Sequence, residues 1–560
     1  MAVIRLLHLF IPQLLANYEE VPLTLLAVLG LTGSTFLATL ISIMFPIQWV
    51  FQGILLLAMI LYLFLDRNWI LNRIKKINKI SLRLDFYLLL LFSLITAMVL
   101  ATSADVNRSY DDGLYHLQSV LIVTQHSAIP GIGLLHNRFA FNSLWHISSA
   151  LWGYQFLHPQ RMIYFVITPI LMINFLLYLF HRYRTEKNRY IQWASLLLLI
   201  ISTIYIVYYR FDFGSVGNDL PSYILTWLIG LMFVQVFFRF ENQQDQTLES
   251  VLILILTVFS WMVKISTFML IIPAIYLCYR FWKINKVECK KIAGVSLLLL
   301  IPWSIRAMVT SGYFLYPPFV KWFGIPFKWQ IPFAMVKENQ LVDISWAKIP
   351  GASAQSVIEM SLQEWVPQWF NLLDKYQIVL IAAAVLITLF TAFTIFIKWK
   401  ELQKQNRLTA AIVLNVWMLS SIIFWFFTYP DPKFFYGPAM PIIASGIISF
   451  SLWISPRYRP NYPMLTRMSV TTTIIVIAFI FIRLNILSEI NYTNIKIHPA
   501  DIPQVDIRQV ELNGFTLNLP VSGDQCWGEP IPCVPDKCSE SVYLLGDTIF
   551  DGLMFIETTP

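Results

Sequence analysis

Charge is scarce in this chain. Only 13% of its 560 residues are Asp, Glu, Lys or Arg, against 57% apolar, and a water-soluble core would leave far too much of that apolar surface uncovered. Lipid must cover it. Nucleotide chemistry in the cytoplasm is unsupported, because the sequence has no phosphate-cradling glycine loop, no His-Glu zinc signature, no heptads and no internal repeat. The N-terminal residues do not read as a cleavable signal peptide either. Pro12, Glu19 and Glu20 interrupt the first apolar run, and Met1 to Asn17 reads as an interfacial, amphipathic lead-in. The net charge of +8 does not call for nucleic acid, since the positive residues collect in short loops between apolar runs, where they set topology.

What is present is a series of apolar runs, each near the roughly 20 residues that cross a bilayer. They fall near 22 to 45, 47 to 65, 86 to 103, 162 to 180, 192 to 209, 222 to 240, 250 to 263, 266 to 281, 292 to 305, 377 to 397, 409 to 428, 438 to 454 and 468 to 484. The fold class is therefore an all-α polytopic membrane protein with about thirteen transmembrane helices. If the runs alternate, Arg67 to Arg83, Arg182 to Arg189, Arg280 to Lys291, Lys398 to Arg407 and Arg457 to Arg467 all fall on one side, which the positive-inside bias makes cytoplasmic. The polar loop Glu241 to Glu249 is the exception. The N-terminus is then cytoplasmic, the tail extracytoplasmic, and the chain a multi-pass protein of the plasma (inner) membrane. Three parts are expected: residues 1–85 with an extra hairpin of crossings, a transmembrane domain over 86–484 with outer loops 104–161 and 306–376, and a tail over 485–560.

The tail reads differently from the rest. Ile507 to Leu512 and Phe515 to Leu519 flank Asn513-Gly514, a pair suited to a two-residue type I′ hairpin turn. Cys526, Cys533 and Cys538 lie close together in a Pro- and Gly-rich stretch, which outside the cytoplasm favours one disulfide over a metal site. Cys526 with Cys533 is the first choice of pair. Cys278 and Cys289 fall at the inner face and should stay reduced.

All the candidate chemistry lies on the outer side. Asp111 and Asp112 stand just past a membrane helix, where adjacent carboxylates are costly near lipid. One reading makes them a general base and its helper for an acceptor hydroxyl; the plainer one makes them the N-cap of a helix starting at Gly113. Lys264 sits between two short apolar runs, which suggests a bend at the surface. Arg306 opens the long outer loop, and Lys433 marks the outer end of a later crossing. Each cation singly fits a snorkelling anchor. His116, Arg138, Asn142 and His146 have the chemistry to hydrogen-bond a sugar or phosphate, although His116 lies one helical turn after Asp112, a spacing that suits a simple side-chain pair. Asp219 reads as the N-cap of the following crossing. Trp365 and Trp369 fit an interfacial aromatic belt better than a sugar platform.

Taken together, Tyr110-Asp111-Asp112-Gly113-Leu114-Tyr115-His116, Lys264 at its bend, Trp303 and Arg306 before a Tyr-Pro-rich loop, and the run Lys433 to Pro441 resemble GT-C-fold membrane glycosyltransferases, of the protein mannosyltransferase and lipid A aminoarabinose transferase type. The sequence is closer still to bacterial multi-pass members of unassigned activity. The resemblance covers roughly residues 86 to 455. It implies a GT-C-like fold, a polyprenyl-phosphate-linked sugar as donor, Asp112 or Asp111 as catalytic base, with Asp112 ranked first, and Lys264, Arg306 and Lys433 on the donor phosphate. Lys433 replaces the Arg common among relatives, which keeps the charge and loses the bidentate fork. The two extra N-terminal crossings also depart from the pattern.

The expected function is transfer of a sugar at the outer membrane face to a polysaccharide, lipid or protein acceptor of the envelope. Its partners are membrane lipid, donor and acceptor, with no nucleic acid. No cofactor is called for, and a divalent metal is left open. The rival readings are a polysaccharide polymerase or ligase, and a lipid-linked glycan transporter or flippase. A transporter is disfavoured because the ionisable groups gather at helix ends instead of the midplane.

Overall fold

The computed structural model describes residues 3–5, 21–69, 71–72, 82–104, 109–157, 167–238, 247–318, 320–453 and 500–557. The crossing expected at 468 to 484 lies outside the described residues, as do most of the basic loop from Arg67 to Arg83 and all of that from Arg457 to Arg467.

Among the described residues, eight helices are long and apolar enough to cross a membrane: Leu23–Met44, Arg189–Tyr208, Asp219–Phe238, Ile265–Lys283, Lys286–Ser311, Lys375–Ile397, Leu408–Thr428 and Pro432–Trp453. The expected thirteen are thus not reached. Trp49–Leu65, Phe92–Ser103 and Leu248–Val263 are apolar but shorter; the last rises only about 24 Å, short of the roughly 30 Å of hydrocarbon. The helix Ile167–Thr185 carries Arg182 and Arg184 in its last turn, and charges there lower its apolar character.

Asp219–Phe238 is the axis of the bundle. Every residue from Leu220 to Phe238 is buried, packed by Ile167–Thr185, Arg189–Tyr208, Thr247–Val263 and Pro432–Trp453. Such an all-round apolar helix has no polar face to turn outward. Its contact with Pro432–Trp453 is close enough that a Cβ added at Gly230 would fall 2.3 Å from the Pro441 Cβ, and the Trp227 indole N–H donates to the Tyr436 carbonyl at 3.0 Å.

The two ends of this axis differ. Near Phe238, Arg407 donates to the Phe238 carbonyl at 3.3 Å, and Arg182 stands 3.7 Å from Glu249 and 3.8 Å from Glu186. These are cations of the predicted inner loops. Near Asp219, the segments predicted to be outer converge, and the tail joins them.

Residues 500–557 form a small cap. Strands β1 (Ile507–Leu512) and β2 (Phe515–Pro520) pair antiparallel, with Leu512 opposite Phe515. Asn513 and Gly514 have φ of 49° and 85°, the left-handed pair a type I′ turn requires. Strands β3 (Val542–Leu544) and β4 (Leu553–Phe555) make a second antiparallel pair. Cys526 and Cys533 are joined by a disulfide, with Cα atoms 5.7 Å apart, while Cys278, Cys289 and Cys538 are free thiols. The cap has no core of its own: Leu517, Leu519, Val534 and Leu553 share one with Leu114, Ile132, Tyr313 and Ile331 of the membrane part's loops. Backbone hydrogen bonds from Leu553 to Pro130 at 2.9 Å and from Phe555 to Lys328 at 3.0 Å bind it there.

Candidate functional site

The acidic pair splits into two environments. Asp112–His116 is a π-helical turn running into the helix Leu117–Gln125, not the ordinary helix start expected from the sequence. Asp112 is fully buried, and a buried carboxylate must be hydrogen-bonded. It accepts from the Ser215 hydroxyl and the Val216 N–H, both at 2.9 Å. Asp111 keeps 29% of its side chain exposed, 3.5 Å from the Lys433 ammonium and 3.7 Å from the Arg138 guanidinium. Arg138 also donates to Asp343 at 3.1 Å and lies 5.3 Å from the centre of the Tyr115 ring. Burial raises the Asp343 carboxyl above its usual range despite that guanidinium.

Lys264 stands at a break in the chain. The helix Thr247–Val263 ends, Lys264 is extended at φ −154°, and a 3-10 turn Ile265–Leu270 follows. Its ammonium pairs with Asp219, the first residue of the central helix, so that carboxylate serves an ion pair where a helix cap was expected. The ammonium groups of Lys264 and Lys433 lie 4.3 and 5.2 Å from the centre of one ring, Phe434. Burial, reinforced by the Lys433 charge, pushes Lys264 down to about 7. Asp431 completes the group, 3.9 Å from Lys433. Arg138, Lys264 and Lys433 are therefore interleaved with Asp111, Asp219, Asp343 and Asp431, drawn from five segments distant in sequence.

Arg306 belongs to a neighbouring group. Its guanidinium donates to Asn142 Oδ1 at 2.9 Å and to the Ser42 hydroxyl at 3.2 Å. Asn142, in the left-handed region at φ 49°, also donates to the Trp303 carbonyl at 2.7 Å and accepts from the Trp303 indole at 2.9 Å. Arg306 thus helps fix a strained turn, beside a small cavity that Ser119, Ser143, His146 and Thr310 also line. Among the described residues no ion pair joins it to the Asp111 group. His116 Nδ1 and His146 Nε2 are 2.7 Å apart, so His116 pairs with His146 and not with Asp112. Burial drives both imidazoles below their usual range, His146 to about 3 with Arg306 contributing. Both rings are neutral at physiological pH.

Sequence reading missed Ser215, Val216, Asp343 and Gln118, which carry no local signal. Asp431, in Pro430-Asp431-Pro432, carries a turn signature but nothing that marks it as a partner of Lys433. Trp365 and Trp369 are buried, with the Trp369 indole donating to the Pro430 carbonyl at 2.7 Å. They brace the turn before Lys433. Among the described residues no three His, Cys, Asp or Glu side chains are placed to hold a metal.

A comparison with curated proteins gives no match. Among solved structures, arabinosyltransferase EmbB from Mycobacterium smegmatis aligns with 65% of this chain at 13% identity and a TM-score of 0.34. The chain covers 31% of the EmbB chain. A family model described as a domain of unknown function (DUF8201) matches residues 3–440, a stretch that takes in every candidate side chain from Asp111 to Lys433 and stops before the cap. The chain belongs to that family.

Proposed function

We propose that this protein is a membrane glycosyltransferase that moves a sugar from a polyprenyl-phosphate-linked donor to an envelope acceptor at the outer membrane face. The observation that carries the reading is the partly exposed Asp111 carboxylate set against Lys433 and Arg138, with Lys264 on the same aromatic ring as Lys433. A base and clustered cations at the membrane end of a bundle suit a lipid phosphate, whose tail stays in the bilayer while its charge reaches the side chains. Neither kind of group suits plain lipid contact.

In this reading Asp111 takes the proton of the acceptor hydroxyl as oxygen attacks the anomeric carbon. Displacement of the phosphate from the opposite side inverts that centre. Lys264 and Lys433 meet the negative charge that builds on the leaving phosphate. Asp112, tied to Ser215 and Val216, holds the turn that aims Asp111, which reverses the ranking of the pair suggested by the family resemblance. Arg306 acts on the donor side through Asn142, shaping the wall next to the cations.

The test is transfer by the purified chain in nanodiscs, given a panel of radiolabelled polyprenyl-phosphate sugars and an envelope extract of its own host. Label should move into the extract with wild type and not with Asp111→Asn. Transfer that is undiminished in Asp111→Asn, or none from any donor of the panel, would sink the reading.

A further inference from the structure

The disulfide loop of the cap lies across the turn that carries the acidic pair. Backbone N–H groups of Cys526 and Trp527 both donate to the Gly113 carbonyl, at 2.7 and 3.0 Å. The Gln525 side chain donates to the Tyr110 carbonyl at 3.0 Å, and the Tyr110 hydroxyl donates to Asp524. Asp111 and Asp112 are thus gripped on either side by residues more than four hundred positions away.

Gln118 links the same two elements. It is fully buried, and its side-chain amide donates to the Trp527 and Glu529 carbonyls at 3.1 and 2.8 Å while its oxygen accepts from the Cys533 N–H at 3.2 Å. All three bonds end on the loop that the Cys526–Cys533 bond closes. The Trp527 indole packs so tightly on Gly113 that an added Cβ would stand 2.7 Å from it. A π-helical turn is uncommon and concentrates at functional sites. Here its support comes from outside the helix.

We propose that the loop from Asp524 to Cys533 is a positioning element of the site, that Gln118 is the residue through which it acts, and that transfer by Asp111 depends on the Cys526–Cys533 bond. The last clause rests on the function proposed above; the first two stand without it. Opening the bond frees the loop to sample conformations that the cross-link forbids. Its hydrogen bonds to Gly113 and Gln118 then compete with water. Because such bonds form in oxidising compartments, the site is completed only where the tail meets one.

The full chain in nanodiscs is compared oxidised, reduced with a phosphine and reoxidised, beside Gln118→Leu and the double variant Cys526→Ser, Cys533→Ser. Hydrogen exchange is read by mass spectrometry over residues 109 to 118, with residues 219 to 238 reporting on the bundle. Reduction and both variants should speed exchange at 112 to 118 by at least about tenfold, the mark of local opening, and leave the central helix unchanged. Reoxidation of wild type should restore it. Should Gln118→Leu not fold, reduction of wild type still decides. Unchanged exchange at 112 to 118, with alkylation proving the thiols free, overturns the proposal. Turnover of a polyprenyl-phosphate sugar should fall at least about tenfold on reduction with the donor KM held within about twofold; faster exchange with full turnover overturns the positioning role. A wild type that transfers no sugar counts against the proposed function alone, because the exchange measurements need no substrate.

Discussion

Raising the pH from 6 to 9 should loosen a lipid-linked phosphodiester from this protein, and Lys264→Arg should remove that dependence. Burial and the neighbouring Lys433 charge bring Lys264 down to about 7, with Asp219, Asp111 and Asp431 as the carboxylates facing it. With that value about 90% of the side chain is charged at pH 6 and about 1% at pH 9. A ligand that contacts only the charged form therefore loses up to about a hundredfold in affinity across the range, approaching tenfold for each unit above 7. A polyprenyl-phosphate hexose is the right probe: as a phosphodiester it lacks the second ionisation near 6 of a phosphate monoester. Binding to the protein in nanodiscs would be measured at four pH values and constant ionic strength. Arginine stays protonated throughout, so the variant's curve should be flat. The stability effect has the opposite sign. An unfolded lysine near 10.4 holds its proton where the folded one has lost it, so between about 7 and 10 this residue makes folding more favourable as pH rises. Weaker binding at pH 9 is then not unfolding in disguise. A wild-type affinity that is constant from pH 6 to 9, or a Lys264→Arg slope equal to that of wild type, refutes the assignment of Lys264 to the phosphate.

The two aspartates should fail in different ways. Asp111→Asn should cut turnover by about 10²- to 10⁴-fold with an unchanged melting temperature, whereas Asp112→Ala, which leaves the buried Val216 N–H without its acceptor, should cost about 1–3 kcal/mol of stability by denaturation in detergent; an Asp112→Ala protein as stable as wild type would end the anchor role. Gly113→Ala should cost about 1–3 kcal/mol through overpacking against Trp527, read as easier proteolysis of the cap, and a fully protected cap would contradict the tight seam. A reporter active only in the cytoplasm, fused after Pro560, should be silent, and a strong signal would invert the proposed orientation of the chain.

What the sequence revealed was local. Asn513-Gly514 announced its hairpin because only a few residue types accept two consecutive left-handed conformations. Lys264 announced a helix break because a charge between short apolar runs has one inexpensive place to go. Asp111 and Asp112 were visible as a pair, but nothing in a dipeptide says which carboxylate turns inward. Ser215 and Val216, a hundred residues on, decide that. Gln118 sits in an apolar run and looks like a stray polar residue, since its three partners are backbone groups of the tail. Arg306 and Lys433 looked alike as cations at helix ends. Their different neighbours, Asn142 for one and Asp111 for the other, come from packing among loops and not from spacing along the chain.

The contact of Gly230 with Pro441 bears on how the proposed donor would enter. The Pro441 ring fills the space that a side chain at Gly230 would need, and helices packed this closely have little freedom to shift against each other. Asp219 opens one of these helices and Lys433 lies at the start of the other, so the two behave as fixed jaws of one frame. On the function proposed above, room for a bulky lipid-linked sugar would be made by the loops that face them: the turn from Tyr110 to Gly113, the Arg138 loop, and the cap that rests on both. On that reading the side of the entrance that gives is the one built from loops, and its stiffness is set by how firmly the segment 500–557 is fastened down.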